Sequence, residues 1–127
     1  MIIGIGTDLC EIGRIRAALD RFGDRFAQRI LDSEEFRRYG SHRDPAAYLA
    51  KRFAAKEAFS KAMGTGIGRS IGWHGVGVEN DTLGRPALRF SADVSAYLRE
   101  RGVSSVHVSI TDETGLACAF VVVEGRS

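Results

Sequence analysis

Glu57 and Lys61 stand four residues apart in the stretch DPAAYLAKRFAAKEAFSKAMG at 44–64, and Asp8 follows a glycine-spaced apolar stretch at the N-terminus. Two carboxylates and an ammonium suit a hard divalent cation held together with a phosphate. Mg2+ takes one or two protein carboxylates and completes its shell with phosphate oxygens and water. A lysine one turn further along a helix neutralises phosphate charge. Each of the three also fits a purely structural role. Glu57 and Lys61 have the spacing of an i,i+4 ion pair on a solvated face, and Asp8 is suited to cap a following helix.

The element that carries Glu57 and Lys61 is marked at both ends. Asp44 is an N-cap, Pro45 suits the first helical position, and Gly64 supplies the left-handed residue that closes the helix. Ala50, Ala54, Glu57 and Lys61 then fall within an arc of about 60°, which puts the two charges on an alanine-lined face open enough for a bulky ligand. Tyr48, Leu49, Phe53 and Phe59 cover other sides, so the helix is expected at the centre of the fold, packed on more than one side.

Met1 to Asp8 reads as a strand, with Ile3, Ile5 and Thr7 on one face and Gly4, Gly6 and Asp8 on the other. A bare glycine face implies that another backbone or a ligand comes close. The dinucleotide fingerprint is excluded, because no third glycine follows Gly4 and Gly6 at the required spacing. A helix is expected over 11–21, broken at Gly23, with a second over 24–30 and a third capped by Asp32 with Glu35 in the capping-box position. Arg14, Arg16, Arg21, Arg25 and Arg29 stand against Asp20 and Asp24 here, five positive charges against two negative. Such a stripe is either a solvated face or a docking surface for an acidic partner.

Glycines at 64, 66, 68 and 72 offer a candidate anion nest, although no Gly-Lys-Ser/Thr opens a helix there as a P-loop requires. Trp73 to Asn80 and Ala87 to Phe90 read as a hairpin, Ser91 caps a helix reaching about residue 101, and alternating strands at 106–111 and 116–124 flank a turn at 112–115. The order of elements gives an α+β fold with a small, largely antiparallel sheet around a long central helix. At 127 residues without a compositional break, one domain spanning 1–127 is expected. Cys10 and Cys118 match no metal spacing, no stretch approaches a membrane span, and a cytoplasmic chain with reduced thiols follows. A nucleic-acid-binding module would explain the arginines but leaves Asp8 and Glu57 unused, and no RNP, KH or helix-turn-helix pattern supports it.

Four stretches together resemble the holo-[acyl-carrier-protein] synthases, the small bacterial class of 4′-phosphopantetheinyl transferases: GIGTDLCEIGRI at 4–15, RFAAKEAFSKAMGTGIG at 52–68, LGRPAL at 83–88 and HVSITDETGLACAFVVVE at 107–124. The resemblance implies Mg2+-dependent transfer of the phosphopantetheine arm of coenzyme A to a serine of apo acyl carrier protein, serving fatty acid biosynthesis and releasing adenosine 3′,5′-bisphosphate. It assigns Asp8 and Glu57 as metal ligands and Lys61 to the phosphates, with Gly64, Thr65 and Gly66 beside them. It assigns Arg14, Arg21 and Arg25 to carrier docking. It also implies a homotrimer with sites at subunit interfaces, where Arg52, Gly84, Pro86 and His107 bind nucleotide from a neighbouring chain. Many members carry a second histidine where this sequence has Asp112, so no role of that imidazole carries over, and the general base stays open.

Overall fold

Helix α4 (Pro45–Ala62) begins where its signals place it, with Asp44 Oδ1 accepting the Ala47 amide at 3.2 Å and Pro45 in the first turn. Twelve of its eighteen residues are buried, so it has no continuous polar face and is enclosed by other elements. The structure, a computed structural model, describes residues 1–126 and is α+β. Before α4 come β1 (Ile2–Glu11), α1 (Ile12–Phe22), α2 (Asp24–Ile30) and α3 (Ser33–Tyr39). After it come β2 (Val76–Asn80), β3 (Pro86–Phe90), α5 (Ala92–Glu100), β4 (Val103–Glu113) and β5 (Leu116–Gly125). The strands form an antiparallel sheet in the order β1-β5-β4 and a separate antiparallel pair, β2-β3.

The glycine face of β1 is filled by backbone. A Cβ at Gly4 would lie 2.0 Å from the Ala62 carbonyl oxygen, and one at Gly6 would lie 2.0 Å from that of Ala58. Helix α4 therefore lies directly on the strand. Ala50, Ala54 and Ala58 are fully buried, as are Ala117, Ala119, Val121 and Val123 of β5. The alanine lining admits the sheet, not a ligand, which corrects the expectation of an open face around Glu57. Small residues on both partners allow this approach, and burial of the facing methyl groups stabilises it at roughly 25 cal/mol per Å² of apolar surface. The opposite face of the same sheet is open: it is apolar on β1 and β5, with Ile5 60%, Leu9 67% and Phe120 44% exposed, and polar along β4, where His107 and Ser109 lie opposite Val122 and Phe120.

Strand β4 is longer than the expected 106–111, so Asp112 and Glu113, expected in the turn at 112–115, pair with Ala117 and Leu116 in the ladder, and two further boundaries differ from the sequence reading. Strand β1 continues to Glu11, so Asp8 pairs opposite Ala119 within the ladder and does not cap α1, whose N-cap residue Glu11 makes no side-chain cap bond. Trp73–Gly75 forms a single 3₁₀ turn instead of the start of a strand. The Trp73 carbonyl there accepts the ammonium of Lys56 at 3.1 Å, an interior contact that hydrophobic alternation does not reveal. The capping box is present as expected: Glu35 N donates to Asp32 Oδ1 at 2.9 Å, and Asp32 N donates to Glu35 Oε1 at 3.0 Å.

Candidate active site

Two strand residues advance about 6.7 Å and one helical turn about 5.4 Å, so successive inward positions of β1 meet successive turns of α4. Gly4 faces Ala62 and Gly6 faces Ala58; Asp8 comes next and arrives among Glu57 and Lys61. Lys61 Nζ donates to Asp8 Oδ1 at 2.9 Å and to the Thr7 carbonyl at 3.2 Å. Its salt bridge is thus with Asp8, across elements, and replaces the i,i+4 pair with Glu57 that spacing alone allowed. The second oxygen, Asp8 Oδ2, is buried and has no hydrogen-bond partner among the described residues. Burial raises the pKa of Glu57 and the Asp8 charge raises it further, with Lys61 opposing both.

An unpartnered buried carboxylate oxygen costs free energy unless something accepts its lone pairs. Among the described residues no group of three or more His, Cys, Asp or Glu forms. The donor set fits Mg2+, which needs few protein oxygens when phosphates and water supply the rest, better than it fits a metal caged wholly by protein. Gly64, Thr65 and Gly66 follow Lys61 directly, but their amides close the helix. Gly64 N donates to the Lys61 carbonyl at 2.9 Å, and Thr65 N and Gly66 N donate to that of Ser60 at 3.0 and 3.2 Å. These three amides therefore do not form a free anion nest.

Arg52, Gly84 and Pro86 meet elsewhere, in a groove of about 510 Å³ also lined by Tyr48, Lys51 and Asp112. Arg52 lies five residues before Glu57, about 140° around the helix axis, so the groove opens on another side of α4. Asp8, Glu57 and Lys61 are not among its lining residues. The Arg52 guanidinium lies over the Tyr48 ring at 3.8 Å, only 7% exposed, with long contacts from Nη2 to the Val78 carbonyl (3.5 Å) and Asn80 Oδ1 (3.4 Å). Its Nε is buried without a hydrogen-bond partner among the described residues. Asp112 sits 3.9 Å from Lys51, placing a carboxylate in this groove. His107 does not join it. The imidazole stands exposed on the open sheet face, with Nε2 2.6 Å from Glu124 Oε1.

Sequence reasoning passed over Lys56, which is fully buried beside Arg52. Its ammonium donates to Glu35 Oε1 at 2.6 Å and to the carbonyls of Ile30 at 2.6 Å and Trp73 at 3.1 Å. The available signal was angular: Lys56 lies about 40° from Arg52 on the helix, so a cation so placed between apolar residues needs a carboxylate partner. Glu35, already used by the capping box, is that partner.

Arg14, Arg21 and Arg25 lie on α1 and α2. Among the described residues these three form no ion pair, whereas the neighbouring Arg16 reaches Asp44 at 3.6 Å. Arg21 stacks over the exposed Phe22 ring at 5.2 Å. Arg14 also borders an apolar cavity of about 500 Å³ formed with Leu9, Ile15, Phe26, Phe53 and Leu116. Unpaired cations beside apolar surface are suited to an acidic, amphipathic partner.

The profile of the 4′-phosphopantetheinyl transferase superfamily matches residues 4–121. The chain is 48% identical over 124 residues to the holo-[acyl-carrier-protein] synthase of Nitrosospira multiformis, covering 98% of this chain and 99% of that protein. It is 49% identical over 126 residues to that of Azoarcus, covering 99% and 100%. In three dimensions it is similar to the holo-[acyl-carrier-protein] synthase of Neisseria meningitidis, with a TM-score of 0.95, 45% identity and coverage of 98% and 99%. It is also similar to the Bacillus anthracis synthase in complex with CoA (3′,5′-ADP), with a TM-score of 0.84, 38% identity and 99% of each chain covered. With the profile matched over most of its length and near-half identity from end to end, the chain belongs to the 4′-phosphopantetheinyl transferase superfamily, among the holo-[acyl-carrier-protein] synthases.

Proposed function

We propose that residues 1–127 act as one Mg2+-dependent transferase domain that moves the 4′-phosphopantetheine group of coenzyme A to a serine hydroxyl of apo acyl carrier protein. Adenosine 3′,5′-bisphosphate leaves, and the product serves fatty acid biosynthesis in the cytoplasm. The observation that carries this reading is Asp8 Oδ2, a buried acceptor with no partner, in a site shared with Glu57 and Lys61. Asp8 and Glu57 would hold Mg2+, which when bound supplies Lewis-acid polarisation of the pyrophosphate. Lys61, with its side chain 52% exposed and anchored at Asp8 Oδ1 and the Thr7 carbonyl, presents its third donor to the phosphates and offsets their charge. The carrier serine attacks the phosphorus of the pantetheine-bearing phosphate, whose bond to the nucleotide-side oxygen breaks, and the hydroxyl proton is lost to a base.

Arg14, Arg21 and Arg25 dock the acidic carrier on α1 and α2, beside the strand that carries Asp8. The open face of β1-β5-β4, apolar on β1 and β5, is the surface on which copies of the chain assemble as a homotrimer. His107 stands on that face, so assembly brings it to the nucleotide held at a neighbouring Asp8, Glu57 and Lys61; the Arg52, Gly84 and Pro86 groove, on another side of α4, contributes to the same nucleotide site. No helix is long and apolar enough to cross a membrane among the described residues. The test is to incubate the protein with apo carrier, CoA and Mg2+ and weigh the carrier. Addition of one phosphopantetheine is expected; an unchanged carrier mass, or hydrolysis of CoA without transfer, overturns the reading.

A further inference from the structure

Arg52 lines the groove with its Nε buried and unpartnered, yet a carboxylate lies only 3.6 Å away, at Glu35 Oε2. Every other demand on that carboxylate explains why it stops short of a hydrogen bond. Glu35 Oε1 accepts the Lys56 ammonium at 2.6 Å and the Asp32 amide at 3.0 Å, while Oε2 accepts the Val78 amide at 2.8 Å. Lys56 and Glu35 are 0% and 1% exposed, so neither is screened by water. The cluster holds two cations, Lys56 and Arg52, on one carboxylate, and the nearer cation takes most of its charge. The adjacent Arg89 is shared between Asp32 and, at 4.0 Å, Glu79.

Arg52 is therefore left only partly neutralised at the groove wall, with its guanidinium held against the Tyr48 ring. We propose that Lys56 and Glu35 are positioning residues for Arg52: Glu35 holds the guanidinium at the groove, and Lys56 keeps Glu35 from neutralising it, so that Arg52 stays free to bind a phosphate of the nucleotide. This rests on the groove being a nucleotide subsite. In a low-dielectric wall an incompletely paired arginine is a stronger phosphate ligand than one already in a bidentate carboxylate pair.

The test is a double-mutant cycle on the assembled protein, read as the affinity for adenosine 3′,5′-bisphosphate by calorimetry. Arg52→Ala is expected to weaken binding about 10-fold or more, and Lys56→Met about 3- to 10-fold, because Glu35 then closes fully on Arg52. The double variant should bind no more weakly than Arg52→Ala alone. Multiplicative losses, or an Lys56→Met protein with wild-type affinity, overturn the positioning role. An Arg52→Ala protein with wild-type affinity overturns the groove reading itself, whatever Lys56 does. Should Lys56→Met not fold, Glu35→Asp takes its place in the cycle, since it keeps the charge on Lys56 while shortening the reach to Arg52; a shared, non-multiplicative loss with Arg52→Ala is again the expected result, and multiplicative losses overturn the positioning role.

Discussion

Lys56 and Lys61 stand five residues apart on the same helix, each bound to a carboxylate from another element, and they do opposite things. Lys56 is sealed inside, with three acceptors within 3.1 Å and its partner Glu35 also fully bonded. Lys61 is half exposed, and its partner Asp8 keeps one buried oxygen empty-handed. The difference lies in saturation, not in residue type. A satisfied buried pair organises the fold, since nothing is left over for a ligand, whereas an incompletely satisfied pair at an accessible edge is ready to take a cation or a phosphate. Arg52 lies between these cases, with the burial of the first and the incomplete bonding of the second.

The comparison breaks most visibly at Glu35. Glu35→Ala leaves Lys56 and Arg52 as buried cations without their carboxylate, and removes acceptors from Asp32 N and Val78 N. Loss of one partner from a buried pair costs about 3–5 kcal/mol, so urea melts should show a protein near or below the folding threshold. A midpoint close to wild type would show that the cluster contributes little.

Asp8→Asn and Glu57→Gln sharpen the other side. Both keep side-chain shape while removing a hard anionic ligand, so thermal midpoints should stay near wild type and turnover should fall about 100-fold or more, equal to about 2.7 kcal/mol in the barrier. Turnover is to be measured across a Mg2+ titration. Retention of near wild-type rates at limiting Mg2+ would return Asp8 and Glu57 to structural roles.

The arginine face tests whether unpaired exposed cations act in recognition. Arg14→Glu with Arg21→Glu should raise the carrier KM several-fold, about 1 kcal/mol, without altering the CoA KM. Wild-type activity at subsaturating carrier should fall as salt rises, because exposed charges are screened over about 8–10 Å, and the variant should show a flatter curve. Identical salt curves and KM values would mark the stripe as ordinary solvated surface.

The smallest expected effect lies at Asp32, beside the sealed cluster. Burial alone would raise its pKa, but the Glu35 amide and the Arg89 guanidinium outweigh burial and hold the carboxyl below its ordinary value. A depressed folded pKa stabilises the fold at pH above the unfolded value of about 3.9, and this stabilisation is lost as pH falls through the folded pKa. Asp32→Asn should therefore be less stable than wild type at pH 7, by up to about 1 kcal/mol given the partial exposure of the pair, and the gap should narrow toward pH 3. A gap constant with pH would assign the loss to the cap hydrogen bond alone.

Much of this architecture was legible in the chain because the deciding signals are local. Asp44, Pro45 and Gly64 bound α4, Asp32 and Glu35 mark the start of α3, Gly23 separates α1 from α2, and alternation shows the strands. The types and spacing of Asp8, Glu57 and Lys61 suited phosphate and divalent-cation chemistry but fitted structural roles as well. What only the tertiary structure decided is which charges meet and how fully. Whether Lys61 pairs with Glu57 or Asp8 depends on strand β1 lying against α4, which the glycine-to-carbonyl contacts at Gly4 and Gly6 permit. Whether the alanines face a ligand or the sheet depends on the same contact. Lys56, Glu35 and Arg52 are separated by up to 21 residues, and their bonding follows from the packing of α3 and β2 on the far side of the helix. Periodicity along one segment specifies which residues share a face; it carries no information about what that face will touch, because the partner comes from a distant part of the chain.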